Sequence, residues 1–164
     1  SQRCSLKRWL RAYPSPDMVR NGTPWCITLR IAPVTPWGGP TLPEIIPYDP
    51  PRSYARASRV GDLVFIAGEV GRDEHGDIVE GGIAPQTRRA FENIRATLDL
   101  LNLTFDDLVK MDVFVLEESD IHPFLDTMRE FLPGGSPPGT LLCVKGFSHH
   151  GMLVEIACVA AVRR

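Results

Sequence analysis

The last strand-length run of the chain, Gly151 to Val162, is apolar on both faces except at one residue. At the two-residue period of a strand, Met152, Val154, Ile156, Cys158, Ala160 and Val162 point one way, and Leu153, Glu155, Ala157, Val159 and Ala161 the other. A strand with two apolar faces is buried on both, and a sheet carrying one layer of helices cannot bury its second face alone. A partner subunit is therefore expected. The exception, Glu155, sets a carboxylate among apolar neighbours. Such a group is costly unless it is hydrogen-bonded or paired, and one held in that setting suits general acid/base work near neutral pH. The plainer reading has Glu155 take a backbone donor or an arginine at a subunit contact, and the sequence leaves both open.

Upstream, proline divides the chain. Ten of the 15 prolines precede residue 54, and because proline lacks a backbone donor and breaks helix interiors, residues 1–52 read as an extended arm. Within it, Trp25 to Ala32 alternates well enough to pair as an edge strand, and Trp25, Trp37, Ile45 and Ile46 are apolar handles for lying along a folded body. Residues 53–164 carry regular punctuation. Arg59-Val60, the turn pair Gly61-Asp62 and the run Leu63 to Gly68 read as a hairpin. Pro85 suits a first helical turn, and Thr87, Ala90, Phe91, Ile94, Leu98 and Leu101 recur at helical spacing, which predicts a helix over residues 84–102. Val109, Met111, Val113 and Val115 alternate with Lys110, Asp112 and Phe114 as a third strand. Ser119 or Asp120 caps a second helix with Phe124, Met128 and Phe131 as its stripe, and strands over 140–145 and 151–162 complete the chain. The expected order is β-β-α-β-α-β-β: a single α+β domain whose mixed sheet carries its two helices on one face.

Composition excludes some functions. Hydrophobic residues at 43% and charged ones at 23% are those of a globular protein. Eighteen Lys+Arg against 20 Asp+Glu, a net charge of −2, gives no field for phosphates, so nucleic acid is an unfavourable partner. No run reaches the roughly 18 apolar residues of a membrane span, and without an apolar leader a cytoplasmic location is expected. Cys4, Cys26, Cys143 and Cys158 have no metal-finger spacing, and the last two lie in apolar runs that read as buried.

The stretches GDLVFIAGEVG (Gly61 to Gly71), QTRRAFENIRATLDLLNLTFDDLVKMDVFVL (Gln86 to Leu116) and GMLVEIACVAAV (Gly151 to Val162) resemble, in order and spacing, the Rid (YjgF/RidA) family over residues 52–164. The resemblance implies a chorismate-mutase-like fold, a homotrimer and small-molecule clefts between subunits. Archetypal members hydrolyse imines and enamines such as 2-aminoacrylate without metal or organic cofactor. In that scheme an arginine holds the substrate carboxylate, a glutamate handles water and protons, and a strand glycine and a tyrosine line the pocket. By position these last three fall on Glu155, Gly68 and Tyr54.

The arginine has no counterpart. The family's Pro-x-Arg-Ser/Thr pattern falls on Pro137-Pro138-Gly139-Thr140, and its second-helix asparagine on Leu125. Glycine offers only backbone where a guanidinium would grip a carboxylate bidentately, so the chain resembles the arginine-lacking branches. Gly139, Thr140, Leu141 and Leu125 are expected at the pocket. His149 and His150, just before the last strand, are the best polar substitutes, although a solvent-exposed pair is the simpler reading. Arg56, Arg72 and Arg88 are other cations able to approach the cleft, at positions where arginine is ordinarily solvated. The expected function is Glu155-based hydrolysis of an imine, enamine or enol-type metabolite. The alternatives are a biosynthetic dehydration or cyclisation enzyme and a non-catalytic ligand-binding trimer. The translation-inhibitor or ribonuclease role sometimes attached to the family runs against the acidic balance.

Overall fold

A computed structural model of the chain describes residues 42–163. The expected strand at 25–32, Trp25, Trp37, Cys4 and Cys26 lie outside the described residues. Six strands, β1 (Glu44–Ile46), β2 (Ala57–Val60), β3 (Leu63–Val70), β4 (Leu108–Val115), β5 (Leu141–Cys143) and β6 (Val154–Ala161), form one sheet in the order β1-β2-β3-β6-β4-β5. Neighbours run antiparallel except β4 and β5, which are parallel. The run with two apolar faces, β6, is thus a central strand.

Two helices, α1 (Ile83–Leu100) and α2 (Ile121–Met128), cover one face. Phe91, Ile94 and Leu98 of α1 and Phe124 of α2 are fully buried against Val64, Val115, Val154 and Ile156. The helical spacing read from the sequence is this stripe, and truncating one such aromatic would cost about 3–5 kcal/mol. Helix α1 stops where Leu103 N–H bonds Leu98 O at 2.9 Å and Asn102 N–H bonds Asp99 O at 3.1 Å, with Asn102 left-handed at φ 54°. That pairing closes the last helical carbonyls. Arg88 of α1 makes a two-pronged pair with Glu130, in the turn after α2, at 2.8 and 2.6 Å, and is not a cleft residue.

Strict alternation fails in two places. The register of β3 on β6 shifts between Ile66 and Glu69, so the strand continues past Gly68 and turns Glu69 to the helix side, 5% exposed. A second shift, between Leu108 and Lys110 on β4, buries Leu108 and leaves Val109 exposed, not aligned with Met111, Val113 and Val115 as expected. An extra residue in one strand reverses the facing of the residues after it. Cys143, expected to be buried, is exposed because it ends the outermost strand, whereas Cys158 is buried and its thiol is pushed up to about 12, mainly by desolvation.

The other sheet face carries no helix. Leu63, Phe65 and Leu142 are exposed on it, with Ala157 and Val159 partly so. The last residues of the Pro-rich segment join the domain: β1 pairs with β2, and Tyr48 is buried.

Candidate active site

On the open face Val70 pairs directly with Glu155 across β3 and β6, and the shift in β3 brings Gly68 against the same carboxylate. A Cβ at Gly68 would stand 2.8 Å from Glu155 Cδ and 3.0 Å from Cγ. Only glycine leaves Glu155 this position. Its carboxylate has no hydrogen-bond or ion-pair partner among the described residues, and it lines a cavity of about 280 Å³ with Tyr54, Gly68, Arg72, Ser148 and Met152. A half-buried carboxylate with free lone pairs facing a cavity can take a proton from a water held there.

Two side-chain amides on α1, the buried Gln86 and the half-buried Asn93, hold the frame. Gln86 Nε2 donates to Gly151 O at 2.8 Å and Val79 O at 3.3 Å, while its Oε1 accepts from Leu153 N at 2.8 Å. The entry to β6, two residues before Glu155, is thereby fixed. Gly71 admits this helix closely, since a Cβ there would fall 2.6 Å from Gln86 Cα. Asn93 Nδ2 donates to Val70 O and Arg72 O, both at 3.0 Å, and Arg89 Nε donates to Arg72 O at 2.8 Å. The backbone carrying Arg72 is pinned from the helix.

A larger cleft of about 830 Å³ is lined among others by Arg52, Arg56, Arg72, Glu69, Asn93 and His149. Tyr48 Oη donates to Glu69 Oε1 at 2.8 Å, and Arg52 and Arg56 lie over the Tyr48 ring at 4.3 and 4.8 Å. Desolvation raises the Glu69 carboxyl above the usual carboxylate range, opposed by the Tyr48 hydrogen bond and the two arginines. Burial, reinforced by Glu69, likewise pushes the Tyr48 hydroxyl up.

Of the residues singled out from the sequence, Tyr54, Gly68 and Glu155 meet at the smaller cavity, and His149 lines the larger one. His150 lines neither. Leu125 packs against the core from α2. Gly139, Thr140 and Leu141 enter β5, separated from β6 by β4. Met111 N–H bonds Pro138 O at 3.1 Å and Val113 N–H bonds Thr140 O at 2.7 Å, which presses Gly139 onto the β4 backbone. A Cβ at Gly139 would stand 2.5 Å from the Met111 carbonyl carbon, so this conformation leaves no room for any side chain. Gln86, Asn93 and Ser148 escape a reading of the sequence because side-chain amides on a helix and a loop serine carry no periodic signal.

Residues 47–162 match the model of the Endoribonuclease L-PSP family. The chain belongs to this family, the Rid/YjgF proteins. A RutC family protein of Pyrococcus abyssi is 32% identical over 108 residues, 65% of this chain and 84% of that one. A 2-iminobutanoate/2-iminopropanoate deaminase of Dermatophagoides farinae is 28% identical over 85 residues, 51% of this chain and 66% of the relative. Among solved structures, a Rid-family protein of unknown function from Yersinia pestis superposes with a TM-score of 0.68 at 26% identity, covering 74% of this chain and all of the other. The family's fold is the one described above.

Proposed function

We propose that the chain is a Rid-type hydrolase of reactive imines or enamines in which Glu155 is the acid/base. The observation that carries this is the unpartnered Glu155 carboxylate, set against Gly68 in a cavity that Tyr54 and Ser148 also line. Glu155 takes a proton from water as the oxygen attacks the C=N carbon and returns it to nitrogen, which gives a carbinolamine; it then moves the carbinolamine hydroxyl proton to nitrogen as the C–N bond breaks, leaving the carbonyl and ammonia. The deaminase named among the relatives supports this class of reaction. We further propose a homotrimer, supported by the uncovered apolar sheet face, in which Gly139, Thr140 and Leu141 of one copy border the Glu155 cavity of the next.

The test is ammonia release from freshly generated 2-aminoacrylate and larger imines, comparing wild type with Glu155→Gln. Turnover that falls at least about a hundredfold in the variant is expected, the range for loss of a general acid/base; a fully active variant sinks the assignment. The closed space at Gly139 favours a second reading, a ligand-binding trimer without chemistry. Tight binding of an oxo or imino acid with no turnover on any imine would select it.

A further inference from the structure

The two cavities share Tyr54, Arg72 and Ser148. An occupant extending from Glu155 into the larger cleft must therefore pass the Arg72 guanidinium. Arg72 is half-buried, and its Nη1 donates to Gly76 O at 3.2 Å. No carboxylate lies within ion-pair distance of it among the described residues.

Further in, the charge is uneven. Arg89 is engaged by Glu74 at 3.0 Å and Glu92 at 3.6 Å. The Asp73 carboxylate accepts from the backbone N–H groups of His75 and Asp77, which helps hold it ionised. Glu69 is buried and accepts from Tyr48. Arg56 lines the cleft with its Nε buried and unpartnered among the described residues. The cleft lining sets Arg52, Arg56, Arg72 and Arg89 against Asp49, Glu69, Asp73 and Glu74, yet neither Arg72 nor Arg56 is held in an ion pair among the described residues, and a guanidinium without such a partner selects a planar, bidentate anion.

We infer that this chain acts on imino acids with a second, distal carboxylate, which reaches across Tyr54 and Ser148 to Arg72 and Arg56 while the reacting carbon sits over Glu155. The anchor would then come from the β3–α1 loop and the residue just before β2 of the same copy, not from residue 139. The inference rests on the proposed Glu155 chemistry, so its test includes binding without turnover. Binding of 2-oxoglutarate and 2-oxobutanoate, the oxo acids left by the corresponding imines, is measured by titration calorimetry. Ammonia release from 2-iminoglutarate and 2-iminobutanoate, generated in place by an amino-acid oxidase, is measured in parallel.

Wild type is expected to favour the dicarboxylic member in both assays by at least about tenfold, the order of one charged hydrogen bond. Arg72→Gln and Arg56→Gln should each erode that preference, and Arg72→Lys should restore part of it. Glu155→Gln should still bind 2-oxoglutarate while releasing no ammonia, which separates failure of the chemistry from failure of the anchor. Equal treatment of the two acids by wild type, absence of 2-oxoglutarate binding, or an unchanged preference in both glutamine variants would overturn the inference.

Discussion

Two glycines show how differently the same missing Cβ acts. At Gly68 the space is taken by the end of the Glu155 side chain, which can swing away; at Gly139 it is taken by the Met111 backbone, which cannot. Gly68→Ala should therefore leave stability within about 1 kcal/mol, by the tolerance for small shape changes, while displacing the carboxylate and lowering kcat by about a hundredfold, the effect of a misplaced reacting group. Gly139→Ala should do the reverse, costing about 1–3 kcal/mol from overpacking. Denaturant melts set beside ammonia-release rates separate the two, and a Gly68→Ala protein with full activity would mean that Glu155 has no fixed position. Glu69 offers a pH test. Its carboxyl is raised in the folded chain, chiefly by burial, so the native state binds the proton more tightly than the unfolded state. Stability contributed by that proton is present below the ordinary glutamate range and is lost as pH rises from there through the folded value. Glu69→Gln keeps an acceptor for Tyr48 and should flatten that fall, which melting temperatures between pH 4 and pH 8 would reveal; an unchanged profile would mean Glu69 ionises freely.

At the scale of elements, much was legible because periodicity is a packing record. The α1 stripe, the β2–β3 hairpin and the two-faced β6 come directly from residue spacing, and each is present. An inserted residue is something alternation cannot encode. The shift in β3 turns Glu69 inward and brings Gly68 to Glu155, so the feature that assembles the site is the one that breaks the pattern used to find the strand. Gln86 was legible only as part of a family-like stretch, although its three hydrogen bonds tie α1 to the start of β6. Gln86→Leu would remove the side-chain partner of the Gly151 carbonyl and the Leu153 N–H. A loss of about 1–3 kcal/mol is expected from hydrogen bonds lost at a part-buried place. Faster amide exchange at Leu153, with reduced turnover in the still-folded fraction, would locate the damage. Exchange unchanged from wild type would show that the sheet alone fixes β6.

For the whole molecule, the deciding feature is a sheet with helices on one face only. Phe65 is 45% exposed near the middle of the bare face, paired with Val159 of β6, and Leu63 beside it is 42% exposed. Those residues support the partner proposed for this face, since contiguous exposed apolar surface of this kind marks an interface. Phe65→Asp places a charge there without touching the helix-side core, because Val64 and Ile66 point the other way. Light scattering should show the mass falling from three copies to one while far-ultraviolet dichroism stays native. Turnover should fall with the mass, since in the proposed trimer the Glu155 cavity would lose its border from residues 139–141 of the neighbouring copy. A variant that stays trimeric would move the interface elsewhere. A fully active monomer would mean that Tyr54, Gly68, Arg72, Ser148 and Glu155 of a single chain are a complete site, with residue 139 irrelevant to it.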